Sequence, residues 1–308
     1  MVKLDIRIAT RKSELALWQA RHVADRLQQL PPVDRVELVP LSTRGDEILD
    51  KSLQKIGGKG LFIKELEVAM QTGTADIAVH SMKDVPAVMP DGFCIAAILD
   101  RANPFDAYLS NRDIPFSDLP EGATIGSSSL RRQAQLKAQR PDLQVVPLRG
   151  NVNTRLAKLA DGQYDAIILA SAGLERLGME ARITSEFDPG DMLPASAQGV
   201  IGIECRNDRQ DLLNILASLE DPASKLSTTA ERAVSATLDA NCQSPVASYA
   251  TISGDNMTVA ALVASPDGRT IIRRQVEGPA TDAKALGVRV ANELLDAGAG
   301  KLLVEGPA

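Results

Sequence analysis

Asp84 closes the segment Val79-His80-Ser81-Met82-Lys83-Asp84-Val85-Pro86, an apolar run that turns into a charged loop. A carboxylate so placed can accept N–H hydrogen bonds, steady a cation and move a proton. Beside Lys83 it reads equally as half of a partly exposed ion pair. His80 reads as a satisfied strand residue. A second group is basic. Gly126-Ser127-Ser128-Ser129-Leu130-Arg131-Arg132 and Leu148-Arg149-Gly150-Asn151-Val152-Asn153-Thr154-Arg155 each have the form of a strand-to-helix junction. Unpaired backbone N–H groups, hydroxyls and a helix dipole favour an anion at such a place. Arg131 and Arg132 oppose that dipole, so a negatively charged ligand is expected to offset them. Arg11 follows the first predicted strand. Arg176 follows another and reads equally as a surface charge. Cys242, in Asn241-Cys242-Gln243-Ser244-Pro245, is either a buried structural thiol or an exposed one held at a fixed angle.

The rest of the composition narrows the chemistry. Three cysteines lie far apart and the two histidines are isolated, which argues against a disulfide framework and a zinc site. Gly57-Gly58-Lys59-Gly60 lacks the Ser or Thr that a phosphate loop needs after its lysine. A net charge of −6 and 3% aromatic residues disfavour nucleic acid as a partner. Arginines gathered inside an acidic protein point instead to a small anionic ligand. No apolar run reaches membrane-spanning length, and the N-terminus lacks a signal-peptide core, so a cytoplasmic protein is expected.

The elements that must position these groups alternate over the first two-thirds of the chain. Strands are predicted at 4–10, 36–41 and 76–80, with a helix capped by Ser13 and another running to Met70. The middle repeats the pattern: strands at 123–126, 143–148 and 166–170, helices at 129–139 and 152–160. Asn103-Pro104 and Asp188-Pro189-Gly190 separate the parts, and 200–203 could return to the first sheet as a crossing strand. Two mostly parallel sheets around a cleft follow, with ligands at the carboxyl ends of the strands. The last third reads as a helix at 223–238, an antiparallel three-stranded meander and a closing helix at 282–297. The expected class is α/β: two doubly wound domains, 1–99 (completed by 200–219) and 100–199, then an α+β domain at 220–308.

Taken together, these segments resemble the porphobilinogen deaminase (hydroxymethylbilane synthase) family. The matching stretches include Arg7-Ile8-Ala9-Thr10-Arg11, Asp76 through Pro86, both arginine junctions, Gly202-Ile203-Glu204-Cys205-Arg206, Ala230-Glu231-Arg232 and the Cys242 loop. They run in order over nearly the whole chain. The resemblance implies two periplasmic-binding-protein-like domains around the cleft and a third domain bearing the cysteine. It also implies a transferase that deaminates and joins four porphobilinogen molecules on a dipyrromethane cofactor, releasing hydroxymethylbilane for tetrapyrrole synthesis. The cofactor would be a thioether on Cys242, and the enzyme a monomer.

Carried over residue by residue, Asp84 would steady the cationic pyrrole and assist proton transfer. Lys83, Ser129, Arg131 and Arg132, with Asp84, would bind the cofactor. Arg11, Arg149, Arg155 and Arg176, with Ser13 and Gln19, would bind substrate. No metal is implied. The chain departs from the family pattern at Ala240-Asn241 and Ser244 around the cysteine, and at Ala197, where a glycine is common. A carboxylate-binding protein without catalysis would explain the arginines but not Cys242. A ligand-sensing transcription regulator would need a helix-turn-helix that the chain does not offer.

Overall fold

The structure is a computed structural model that describes residues 3–43, 63–241 and 243–304. In chain order its elements begin β1 (Leu4–Arg11), α1 (Glu14–Gln28), β2 (Val33–Leu41), α2 (Lys64–Gln71), β3 (Ile77–Ser81) and β4 (Phe93–Ile98). There follow β5 (Asp106–Ser110), β6 (Thr124–Gly126), α3 (Leu130–Gln139), β7 (Gln144–Val146), α4 (Val152–Ala160), β8 (Ala166–Ala170), α5 (Ser171–Glu175) and β9 (Ser185–Glu186). The last are β10 (Ile201–Arg206), α6 (Gln210–Leu216), α7 (Pro222–Thr237), β11 (Val246–Ser253), β12 (Asn256–Ala264), β13 (Ile271–Pro279), α8 (Ala283–Asp296) and α9 (Ala299–Val304).

The chain packs as two units, Met1–Arg101 with Val200–Lys225, and Ala102–Gly199 with Leu226–Ala308. The first holds a five-stranded sheet in the order β2-β1-β3-β10-β4. β1 runs parallel to β2 and β3, while β10 is antiparallel to both β3 and β4. Apolar residues on alternate strand positions reach opposite faces. Ile6, Ile8, Ile77 and Ile203 join Ala20, Val23 and Leu27 of α1 in one core, and Ala9 and Ala78 join Leu66 and Met70 of α2 in another. Ser13 caps α1 through its side chain, which accepts from the Ala16 N–H.

The second unit repeats this topology, with a five-stranded sheet in the order β7-β6-β8-β5-β9. β6 is parallel to β7 and β8, and β5 is antiparallel to β8. Ile125 and Ile168 face one core with Leu136, and Ile167 and Leu169 face another with Leu156 and Leu159. Each five-stranded sheet is therefore mixed, three parallel strands followed by an antiparallel insertion. β4 and β5 are strands that local patterning did not single out, because so short an apolar run fits a strand or a buried helix segment equally.

The same unit carries the antiparallel sheet β11-β12-β13. One face of β12, Met257, Val259, Ala261 and Val263, packs on Val234 of α7 and on Leu286, Val290 and Leu294 of α8. Its other face, Ala260, Leu262 and Ala264, packs on Ala134 of α3 and on Leu193.

Glu231 of α7 is fully buried and ties this sheet to the segment that leads into β10. Its carboxylate accepts from the N–H of Ala197 at 2.5 Å and of Ala250 at 2.8 Å. Ala197 itself sits at φ 57°, a left-handed conformation that strains any residue with a Cβ. Ala197→Gly removes that strain, so we expect it to raise the unfolding free energy by roughly 1 kcal/mol. Chemical denaturation of the two proteins checks this, and an unchanged or lower midpoint would contradict it.

Candidate active site

In the first unit the parallel pairing of β1 and β3 brings Arg11 and the loop after Ser81 to one end of the sheet. A short turn, Met82–Asp84, follows β3. Three contacts fix it. The Met82 N–H donates to Val200 O at 3.0 Å, and the Val85 N–H donates to Met82 O at 3.1 Å. The Met82 side chain is buried against Gly202 of β10, where a Cβ would fall 2.0 Å from its sulfur. Only glycine leaves room there.

Gln19, read as a substrate ligand, is buried and donates its amide to Ser81 Oγ at 2.8 Å. Ser13, read likewise, spends its side chain on the α1 cap. Through its bond, Gln19 touches the residue just before the Asp84 turn. Arg11, Lys83 and Asp84 are each half-buried. Among the described residues the Asp84 carboxylate has no hydrogen bond or ion pair, with Lys83 or any other group. His80, immediately before, is buried and its Nε2 lies 2.7 Å from Glu204 Oε2 on β10. It is a satisfied strand residue, as read.

In the second unit β6, β7 and β8 run parallel, so both arginine junctions and Arg176 lie at one sheet end. Ser129 caps α3 and Asn151 caps α4. Ser128 links the two junctions: its hydroxyl donates to Leu148 O at 2.9 Å and accepts from the Leu148 N–H at 3.0 Å. Gly150 turns the chain at φ 111°, where a Cβ would strike Thr154. Arg155 Nε donates to Gly150 O at 2.8 Å, and Arg176 Nη2 to Gly199 O at 2.6 Å. Arg149, Arg155 and Arg176 are half-buried.

Arg131 and Arg132 differ from the rest. Both are buried, and both meet Asp106, the first residue of β5, which is fully buried. Arg131 Nη1 donates to Asp106 Oδ2 at 2.6 Å and to Leu193 O at 2.8 Å. Arg132 donates to Asp106 Oδ1 from Nη2 at 2.6 Å and from Nε at 3.0 Å, and from Nη1 to Ile168 O at 3.0 Å. The countercharge that the sequence assigned to a ligand is thus, in part, a side chain. The two guanidiniums hold the Asp106 carboxyl well below the usual carboxylate range despite its burial. Two cations against one anion still leave a net positive charge. Among the described residues Arg131 keeps its Nε and Nη2 donors unspent.

Cys242 and the Gly57–Gly60 loop lie outside the described residues. The described residues on either side of the cysteine, between α7 and β11, bond to one another. Asn241 Oδ1 accepts from the Gln243 N–H at 2.8 Å, and Ser244 Oγ accepts from the Asn241 N–H at 3.1 Å. Asn241 and Ser244, two of the departures from the family pattern, each supply a side-chain bond there. Of the other thiols, burial pushes Cys205 up to about 12 and raises Cys94 as well.

Comparison with known proteins decides the family. Residues 6–214 match the model described as "Porphobilinogen deaminase, dipyromethane cofactor binding domain", and residues 225–296 match "Porphobilinogen deaminase, C-terminal domain". The chain belongs to the porphobilinogen deaminase family. It is 53% identical over 296 residues to the porphobilinogen deaminase of Chromobacterium violaceum, covering 96% of each chain. It is 54% identical over 298 residues to that of Stenotrophomonas maltophilia, covering 97% of this chain and 98% of that one. A TRAP periplasmic solute binding protein from Desulfovibrio salexigens is a looser likeness, with a TM-score of 0.43 at 13% identity over 71% of this chain and 73% of that one. It is too distant to weigh.

As a porphobilinogen deaminase, the protein is a transferase of tetrapyrrole synthesis that uses a dipyrromethane cofactor. The residues present fit a carboxylate-rich group of that kind, since the Arg131–Arg132–Asp106 cluster carries excess positive charge and unspent donors. Sequence reasoning missed Asp106 and Glu204. Each is the one acid of a mostly buried strand, and that is a signal for a buried partner.

The link between the junctions is open to test. Ser128→Ala removes both bonds to Leu148, so we expect a loss of about 1 kcal/mol in unfolding free energy. Denaturant titration measures it. A midpoint equal to the parent's would mean that the junctions are held apart from Ser128.

Proposed function

We propose that Asp84 is the catalytic group of the deamination and coupling steps, and that Cys242 carries the dipyrromethane. The observation behind the first assignment is the half-buried Asp84 carboxylate, held by a fixed turn and unpaired among the described residues. A carboxylate held without a cation of its own can answer one that the reaction supplies. Loss of ammonia from porphobilinogen leaves a cationic pyrrole, and Asp84 accepts its N–H and offsets its charge. The same oxygen accepts the proton released when the new carbon–carbon bond restores the aromatic ring.

Bound to the protein, dipyrromethane supplies the nucleophilic pyrrole carbon from which the chain grows. Lys83, Ser129, Arg131 and Arg132 hold its acetate and propionate groups, and Arg11, Arg149, Arg155 and Arg176 hold those of substrate and growing chain. Ser13 and Gln19 complete the substrate-binding set. The functional division is 1–99 with 200–219, 100–199, and 220–308. The enzyme works as a cytoplasmic monomer on a small-molecule substrate, with no nucleic-acid partner, in keeping with its net charge of −6. Among the described residues no helix is long and apolar enough to cross a membrane.

Two experiments test the assignments. Cys94 and Cys205 are poor nucleophiles because burial raises their thiols. Cys242→Ala should therefore leave the plain sequence mass, without two added pyrrole units. Added mass on the variant, or modification of Cys94 or Cys205, would overturn the attachment. For Asp84, the folded Asp84→Asn protein should lose on the order of 10² to 10³ in turnover or more, because charge and proton acceptance go together. Asp84→Glu should retain part of the activity. Turnover of Asp84→Asn within a few-fold of the parent would return Asp84 to a structural role.

A further inference from the structure

We propose that Asp106 is a positioning residue for the reaction: it aims Arg131 and Arg132 and cancels one of their charges, so that the site binds carboxylates yet releases them. The inference rests on the reading that these arginines hold carboxylates of cofactor and chain.

Three elements converge on this one side chain. Helix α3 sends both guanidiniums to it at 2.6 Å, and β5 provides its backbone, whose carbonyl accepts from the Phe187 N–H. Gln198, just before β10, donates its amide to Asp106 Oδ1 at 3.0 Å and to Pro104 O at 2.7 Å. The guanidiniums are thereby fixed in plane and in distance, and the planar fork of arginine rewards such fixing.

A buried Arg–Asp–Arg cluster adds little net stability, because desolvation offsets the attraction. Its value lies elsewhere. Without Asp106, two uncompensated guanidiniums would meet the ligand in a poorly hydrated site, where charge–charge attraction is strong. A chain that gains a ring in every cycle must shift its carboxylates between cycles. Binding that is equally tight before and after each step lowers KM without raising kcat. Asp106 limits that grip to one net charge.

The test compares parent and Asp106→Asn holoenzymes, each shown by intact mass to carry two extra pyrrole units, with porphobilinogen as substrate across an ionic-strength series. We expect kcat to fall about tenfold, KM to fall with it, and kcat/KM to depend more steeply on salt. Asp106→Glu, which restores the charge, should return the salt dependence to that of the parent. A KM that rises with unchanged salt dependence would make Asp106 purely architectural and overturn the proposal, as would parent-like kinetics. If Asp106→Asn does not fold, the double variant with Arg132→Gln restores one net charge. It should show the parent's salt dependence, and a steeper one overturns the idea. The underlying reading fails separately, through an Arg131→Leu protein that loads cofactor fully and turns over like the parent.

Discussion

A carboxylate inside a sheet has no water to solvate it, so it must be paired or protonated. Each five-stranded sheet of this protein contains one. In the second sheet Asp106 is answered by two guanidiniums from α3, and in the first Glu204 is answered by His80 on the neighbouring strand. Much of the site geometry hangs on these pairs. Asp106 fixes where α3 presents its arginines. The Glu204–His80 pair joins β10 to β3 four residues before Asp84. Polar groups buried this way specify one arrangement because every alternative leaves a buried polar group without a partner.

The second dependence is steric. Asp84 owes its position to a turn whose anchor, Met82, fills the space left by Gly202. The residue that supports the carboxylate, in the turn after β3, and the residue that makes room for the support, on β10, lie far apart in sequence. The arginine sheet is built more locally. Parallel pairing of three strands places both junctions side by side, and Ser128 bonds one to the other.

That contrast explains what could be read from the sequence. The strand 166–170 and the helix 152–160 are found with the predicted bounds, because apolar spacing and a capping asparagine are local signals. The junctions and their arginines were legible for the same reason. Strands β4 and β5 were not, nor was the pairing of His80 with a glutamate 124 positions away. Arg131 and Arg132 were read as seeking an external anion because Asp106, 25 and 26 positions earlier, shows its proximity only once β5 is placed. Nothing in Lys83-Asp84 could say that the two would not pair with each other.

The insertion of β10 between β3 and β4 has a consequence for biosynthesis. As the chain leaves the ribosome, β1 to β4 emerge first, yet their sheet lacks the strand that joins β3 to β4. The second five-stranded sheet needs only residues 106–186 and can close while the first still waits. Until residues 201–206 appear, β3 and β4 each present a bare edge, the kind of surface that invites aggregation. The sheet that leads to Asp84 is thus begun first in translation and can close only after the last strand of the second five-stranded sheet has been made.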